Sequence, residues 1–105
     1  MFQRIDAQKA KELIDDQEAL VIDIRDPGSF NMGHITDAVL IDNSNVQQFI
    51  AEADHSKPLI VCCYHGNSSQ PAAGFMSEQG FSQSFSLDGG FEHWKVIYPD
   101  QVSGS

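Results

Sequence analysis

The chain has 105 residues, of which 41% are hydrophobic, so it is expected to form one domain over residues 1–105 with a hydrophobic core. Fifteen acidic residues against six basic ones give a net charge of −9, which argues against nucleic acid and anionic membranes as partners. No apolar stretch is as long as a membrane span, and the first residues lack the apolar segment of a signal peptide. We therefore expect a cytoplasmic location.

Short apolar runs alternate with helical patterns along the chain. In chain order, the prediction is a strand at residues 4–5, a helix at 7–14 capped by Asp6, a strand at 19–23, a helix at 27–32, a strand at 38–41, a helix capped by Asn43 or Ser44, a strand at 58–62, a helix at 69–78, a strand at 84–87 and a short helix through Phe91 and Trp94.

This alternation predicts the α/β class, with a parallel sheet covered by helices on both faces. Ligands of such sheets bind beyond the carboxyl ends of the strands. Asp23, Cys63 and Asp88 each stand at the end of a predicted strand. We therefore expect the functional site at this edge of the sheet.

Cys63 lies where a buried strand meets a loop of small and polar residues. Gly66 and Asn67 tolerate left-handed backbone, and Ser68 or Ser69 can cap the helix that follows. A cysteine in this position faces backbone N–H groups and the positive end of a helix dipole, which favour the thiolate over the thiol. We interpret Cys63 as reactive; the alternative is a small buried core residue. The two cysteines are adjacent, so no disulfide framework is expected.

Three motifs in this order resemble those of the rhodanese family. The first runs from Val21 through Arg25 to Pro27 and continues with Gly33-His34-Ile35, and the last is 87–94, Leu-Asp-Gly-Gly-Phe-Glu-His-Trp. Between them, the loop that starts at Cys63 is similar to that of the small single-domain thiosulfate sulfurtransferases of this family. The resemblance implies a rhodanese-like fold with a five-stranded parallel sheet. One departure is Asp37, at a turn position where the family usually has glycine.

The resemblance also implies a chemistry. Cys63 would be the catalytic nucleophile that takes the outer sulfur of thiosulfate, releases sulfite and holds the sulfur as a persulfide. Cyanide, or a small or protein thiol such as thioredoxin, would then accept this sulfur. No cofactor and no metal are expected, because Cys62, Cys63 and His65 lack the spacing of a zinc site. The predicted substrate-binding residues follow the nucleophile and offer their backbone N–H groups: Tyr64, His65, Gly66, Asn67, Ser68 and Ser69.

Two roles remain possible for several side chains of this loop. His65 either adds positive charge to the site or hydrogen-bonds the backbone or water. The hydroxyl groups of Ser68 and Ser69 either reach the sulfur or cap the helix. Tyr64 is expected to shape the rim of the site, and Cys62 is expected in the core, since alternation along the strand turns it away from Cys63.

A second set of residues is predicted to stabilise the fold. Arg25 would form an ion pair with Asp23 or with Glu92 and so connect the first and last motifs. His34 would hydrogen-bond the backbone of a turn. Trp94 would pack in the core from the last helix.

Two other functions compete with sulfur transfer. A phosphatase loop of the Cys-x5-Arg type needs an arginine six residues after the cysteine, and position 69 is serine, so this reading is rejected. A persulfide carrier or a rhodanese-like interaction module without thiosulfate turnover remains the alternative. An assay with thiosulfate and cyanide separates a catalyst from a carrier.

Overall fold

A five-stranded parallel sheet forms the centre of the computed structural model, which describes residues 1–104. Its order is β1-β6-β5-β2-β4, and each neighbouring pair is parallel. The predicted α/β class and the five-stranded parallel sheet are confirmed. The strands of this sheet are β1 (Gln3–Ile5), β2 (Leu20–Asp23), β4 (Val39–Leu40), β5 (Leu59–Cys62) and β6 (Ser84–Leu87).

Helices cover both faces of the sheet. Residues of α1 and α5 pack in one core cluster, and residues of α3 and α4 pack in the other. No helix in residues 1–104 combines the length and the hydrophobicity that crossing a bilayer requires. The helices are α1 (Ala7–Gln17), α2 (Pro27–Met32), α3 (Val46–Glu52), α4 (Ser69–Glu78) and α5 (Gly90–Ile97).

Alternation along β5 places successive side chains on opposite faces of the sheet. Ile60 and Cys62 belong to the core cluster under α1 and α5, whereas Leu59 and Val61 belong to the one under α3 and α4. Cys62 is fully buried in its cluster. Cys63, the first residue after β5, contacts the beginning of α4, so the two thiols lie on opposite sides of the sheet.

A small antiparallel ribbon was not predicted from the sequence. It pairs β3 (His34–Ile35) with β7 (Val102–Ser103), which follows a 3-10 turn at Pro99–Gln101. Strands of two residues are too short to show alternating hydrophobicity, so no local pattern indicates them. The ribbon thus connects residues 102–103 to the segment that follows α2.

The predicted cap of the third helix is wrong. Asn45, rather than Asn43 or Ser44, is the residue before α3, and no side chain caps the helix there. The carboxamide of Asn45 instead accepts a hydrogen bond from the Asp42 N–H at 2.8 Å and donates one to the Leu40 carbonyl at 2.8 Å. The polar residues of this segment therefore hold the loop after β4, and helix-cap propensity alone could not distinguish the two uses.

The turn at Asp37 gives a testable consequence of the departure noted in the sequence. Asp37 has a φ of 69°, in the left-handed region that favours glycine. We expect the free energy of unfolding of Asp37→Gly to exceed that of Asp37→Ala by about 1 kcal/mol. The wild type should lie between them, because aspartate tolerates this region better than alanine. Equilibrium urea unfolding of the three proteins measures the order. Equal stabilities of the glycine and alanine variants would contradict it.

Candidate active site

The sulfur of Cys63 lies in a ring of hydrogen-bond donors at the carboxyl end of β5. Its Sγ accepts from the backbone N–H of Gly66 at 3.2 Å and from that of Ser69 at 3.3 Å. The Cys63 thiol donates to the Ser69 hydroxyl oxygen at 3.3 Å, and when the thiol is ionised the same hydroxyl can donate to the sulfur. Cys63 is only 2% exposed, so these donors replace water around the sulfur.

The two adjacent thiols have opposite electrostatic environments. Burial raises the pKa of the Cys63 thiol, but hydrogen bonds from the Ser69 side chain, the Ser69 and Gly66 amides and the His65 amide outweigh it, and the pKa lies below the ordinary value. Burial raises the pKa of Cys62 well above its ordinary value, and the nearby Asp23 carboxylate raises it further. Of the two adjacent thiols, Cys63 is therefore the one that ionises more easily.

Ser69 connects the sulfur to the neighbouring strand. Its hydroxyl lies 2.7 Å from the Ser86 hydroxyl on β6, and both residues are fully buried. Ser68 is the residue before α4, but its side chain makes no capping hydrogen bond. Two uses were considered for these hydroxyl groups, contact with the sulfur and capping of the helix. The Ser69 hydroxyl contacts the sulfur, and Ser68 does not cap the helix. Sequence reasoning missed Ser86, although serine at alternate positions of an otherwise buried strand, 84 and 86, was an available signal.

The first turn of α5 holds the start of the loop. The Phe91 N–H donates to the Cys63 carbonyl at 2.8 Å, and the Glu92 N–H donates to the Tyr64 carbonyl at 3.2 Å. Gly90 allows this approach. It has a φ of 58°, and a Cβ atom at this position would lie 2.5 Å from the Cys63 and Tyr64 carbonyl oxygens. The last motif of the sequence thus contacts the loop through its backbone.

A buried ion pair lies beside the loop. Arg25 is paired with Asp23 through Nη2 and Oδ2 at 2.7 Å, and its Nη2 also donates to the Gly33 carbonyl at 2.7 Å. The guanidinium stacks over the Phe91 ring, 4.2 Å from the centroid, and lies 5.7 Å from the centroid of Tyr64. Of the two partners considered for Arg25, the structure pairs it with Asp23.

Asp26 is a contact of the loop that sequence reasoning missed. Its carboxylate accepts a hydrogen bond from the Tyr64 hydroxyl and another from the Ser29 N–H at 3.0 Å. These bonds, the one from Tyr64 first, hold the pKa of Asp26 well below its usual range. Asp26 precedes α2, so the neighbouring sequence predicts only a helix cap. No feature of the sequence near Asp26 indicates its hydrogen bond with Tyr64.

The remaining predicted residues are distributed around this centre. Glu92 pairs with Lys95 at 2.7 Å rather than with Arg25, and the His34 Nδ1–H donates to the Phe30 carbonyl at 2.8 Å. Trp94 is buried and donates from Nε1 to the Gln101 carbonyl at 3.3 Å. His65 and Asn67 are exposed. Within residues 1–104, no group of three His, Cys, Asp or Glu side chains is arranged to bind a metal ion.

The hydroxyl of Ser69 is expected to set the reactivity of Cys63. In Ser69→Ala the thiolate loses a donor, so the midpoint of the pH dependence of alkylation should move to higher pH. Below that midpoint, the rate should fall about tenfold or more, since a hydrogen bond to a charged group stabilises it by about 1.5–3 kcal/mol, and about 1.4 kcal/mol corresponds to a factor of ten. Iodoacetamide labelling followed by mass spectrometry measures the rate. Ser68→Ala is the matched control, because that side chain does not cap the helix; a shift in the control equal to that in Ser69→Ala would contradict the assignment.

Comparison with known proteins agrees with this geometry. A family model described as a rhodanese-like domain matches residues 6–96. The chain belongs to the rhodanese family. Like other members it carries the parallel sheet, and the resemblance of its three motifs is confirmed over nearly the whole chain.

Several proteins similar to this chain are named thiosulfate sulfurtransferase GlpE. The protein of this name from Pseudomonas aeruginosa strain LESB58 is 54% identical over 97% of this chain and 92% of its own length. The one from Pseudomonas fluorescens strain SBW25 is 51% identical over 97% of this chain and 93% of its own. A crystal structure of a rhodanese-related protein from Thermoplasma volcanium has a TM-score of 0.76 at 27% identity and covers 91% of this chain and 93% of that one.

Proposed function

We propose that this protein is a thiosulfate sulfurtransferase that works through a persulfide on Cys63. The Cys63 thiolate attacks the outer sulfur of thiosulfate and forms a new S–S bond. The S–S bond within thiosulfate breaks, and sulfite leaves with the electron pair. An acceptor thiolate or cyanide then attacks the outer sulfur of the persulfide and releases Cys63 as a thiolate. Each step is a nucleophilic displacement, and no metal or organic cofactor takes part.

The observation that carries this proposal is the donor ring around the Cys63 sulfur. The N–H groups of Gly66 and Ser69 and the Ser69 hydroxyl stabilise negative charge on the attacking sulfur and again on the departing one. In the first displacement these donors raise the fraction of Cys63 that is present as the attacking thiolate, and in the second they stabilise Cys63 as the leaving thiolate. In this proposal the other loop residues, Tyr64, His65, Asn67 and Ser68, complete the substrate-binding surface. The 50–54% identity with proteins named thiosulfate sulfurtransferase supports the same reaction.

The loop recognises a dianion largely through its backbone. It has no arginine or lysine between residues 63 and 69, and the protein has a net charge of −9. Arg25, which lies close to Tyr64, is already neutralised by Asp23. We therefore assign thiosulfate binding to the loop amides and the N-terminal end of α4, whose dipole favours an anion.

The acceptor in the test tube is cyanide, and in the cell a thiol. We include protein thiols such as thioredoxin in this proposal, together with a cytoplasmic location, where thiols are kept reduced. A persulfide places its outer sulfur beyond Sγ, and the side chains of His65 and Asn67 in the same loop are exposed, which supports transfer to a partner that stays outside the loop.

The proposal is tested by isolating the intermediate and by turnover. Incubation with thiosulfate and no acceptor is expected to add the mass of one sulfur atom to the peptide that contains Cys63, and cyanide should then remove it as thiocyanate. Thiocyanate formation without any mass increase would argue for direct transfer. A mass increase obtained from a persulfide donor, with no thiocyanate from thiosulfate, would identify a carrier instead of an enzyme.

A further inference from the structure

One cavity in the described part of the chain is not used by the chemistry above. It is a groove of about 620 Å³ between α3 and α4, and it opens at the edge of the sheet that also carries Cys63. Its floor is formed by apolar side chains at the ends of β2 and β4, and its walls come from the two helices. We call it the apolar groove and define it by Ile22, Ile24, Ile41, Val46, Phe75 and Met76.

The apolar groove begins close to the Cys63 sulfur. Both lie on the α4 side of the sheet, since Ser69 at the start of α4 contacts Sγ. Ala72, which also lines the groove, follows Ser69 by three residues, a rise of about 4.5 Å along the helix. On the floor of the groove, the Ile24 N–H donates to the Cys62 carbonyl at 3.0 Å, which holds this part of the floor beside the residue before Cys63.

The lining of the groove selects against anions. Arg25 and Asp42 are its charged residues within the described chain, and Asp23 neutralises Arg25. Asp42 remains as a free negative charge at the rim, held there by hydrogen bonds from the Ser44 N–H and hydroxyl. Phe75 is 41% exposed, a large fraction for an aromatic ring. An occupant would therefore be apolar, with an uncharged or positively charged end.

We propose that the apolar groove binds the aliphatic chain of a small thiol that accepts the sulfur from Cys63. This inference rests on the proposed function and names the chemical class of its acceptor. The acceptor thiolate attacks the outer sulfur of the persulfide and forms an S–S bond to it. The bond between that sulfur and Sγ breaks, and Cys63 keeps the electron pair as a thiolate within its ring of donors. The thiol leaves as an alkyl persulfide, with no change in total oxidation state.

A series of straight-chain thiols, from ethanethiol to hexanethiol, tests the assignment. The rate of sulfite release from thiosulfate at limiting thiol should rise about two- to fourfold for each added CH₂ group, because each one buries apolar surface in the groove. Turnover with cyanide measures the proposed function separately. Normal cyanide turnover with a rate that does not depend on chain length would overturn this inference and leave the enzyme assignment intact.

Two variants with matched chemistry locate the effect. Phe75→Ala removes part of a wall of the groove. It should reduce the increase in the rate of sulfite release per CH₂ group, and also the ratio of the turnover rate with thiol to that with cyanide. Val96→Ala removes an exposed apolar side chain of α5, far from the groove in the sequence and absent from its lining, and should change neither. Equal behaviour of the two variants would contradict binding in the groove.

The charge at the rim gives an independent readout. A thiol that ends in an ammonium group should react faster than one of the same length that ends in a carboxylate. Asp42→Asn should reduce this preference at least severalfold, because it removes the carboxylate that faces the end of the chain. A preference that Asp42→Asn leaves unchanged would exclude the proposed orientation of the acceptor.

A probe that needs no turnover separates failure of this inference from failure of the proposed function. Alkyl methanethiosulfonates transfer their alkylthio group to a thiolate and release methanesulfinate, so the Cys63 thiolate forms a mixed disulfide. Mass spectrometry should show faster labelling of Cys63 by the hexyl than by the methyl reagent, and a smaller difference in Phe75→Ala. Equal labelling rates would overturn the groove assignment whether or not the protein turns over thiosulfate.

Discussion

Cys63→Ser is expected to produce no thiocyanate above background from thiosulfate and cyanide, a loss of at least about 10³-fold. A serine hydroxyl is nearly isosteric with the thiol, so the fold should survive, but it is not ionised near neutral pH and is a far weaker nucleophile. Steady-state thiocyanate formation measures the activity. Circular dichroism and urea unfolding verify that the variant is folded.

The adjacent cysteine provides the matched control. Cys62→Ala should keep most of the activity, because Cys62 lies in the core on the other side of the sheet and the pKa of its thiol is raised by burial. It should lose about 1 kcal/mol of stability, since a small buried group is removed. An inactive Cys62→Ala together with an active Cys63→Ser would show that the nucleophile has been assigned to the wrong residue.

Local sequence patterns were enough to predict the sheet and the place of Cys63 at its carboxyl edge. Apolar runs at 19–23 and 58–62 and the alternating segment 84–87 predicted strands, and the structure contains strands at Leu20–Asp23, Leu59–Cys62 and Ser84–Leu87. Because the carboxyl ends of parallel strands meet at one edge, the pattern also indicated where Cys63 would lie. The loop composition then predicted amide donors around the sulfur, and those of Gly66 and Ser69 reach it. Gly66 has the left-handed φ, 95°, that the pattern allows, whereas Asn67 does not.

Contacts between distant segments were not predictable in the same way. Two residues that contact the loop are far from it in the sequence. Ser86 hydrogen-bonds Ser69, and Asp26 accepts a hydrogen bond from Tyr64. The choice of Asp23 over Glu92 as the partner of Arg25 depends on how α5 packs. Each of these contacts requires the three-dimensional arrangement of elements, whereas a strand or a cap depends on a few neighbouring residues.

Gly90→Ala is expected to destabilise the protein by about 3 kcal/mol or more and to lower the activity of the folded fraction. Two physical effects add at this position. The φ of 58° is unfavourable for alanine, and the new Cβ would lie 2.5 Å from the carbonyl oxygens of Cys63 and Tyr64. Both obstacles are backbone atoms, so relief requires α5 and the loop to separate. That separation weakens the hydrogen bond from the Phe91 N–H to the Cys63 carbonyl.

Gly74→Ala is the matched substitution in a permissive site. Gly74 lies inside α4, and a Cβ there would lie 3.5 Å from the Phe2 ring, an ordinary contact. This variant should be as stable as the wild type or more stable by up to about 1 kcal/mol, because alanine favours the helix. Urea unfolding of both variants, with thiocyanate formation and Cys63 alkylation measured under native conditions, separates backbone strain from a general effect of the added methyl group. If Gly90→Ala matched Gly74→Ala in stability and in both rates, the close approach of α5 to the loop would not be what positions Cys63.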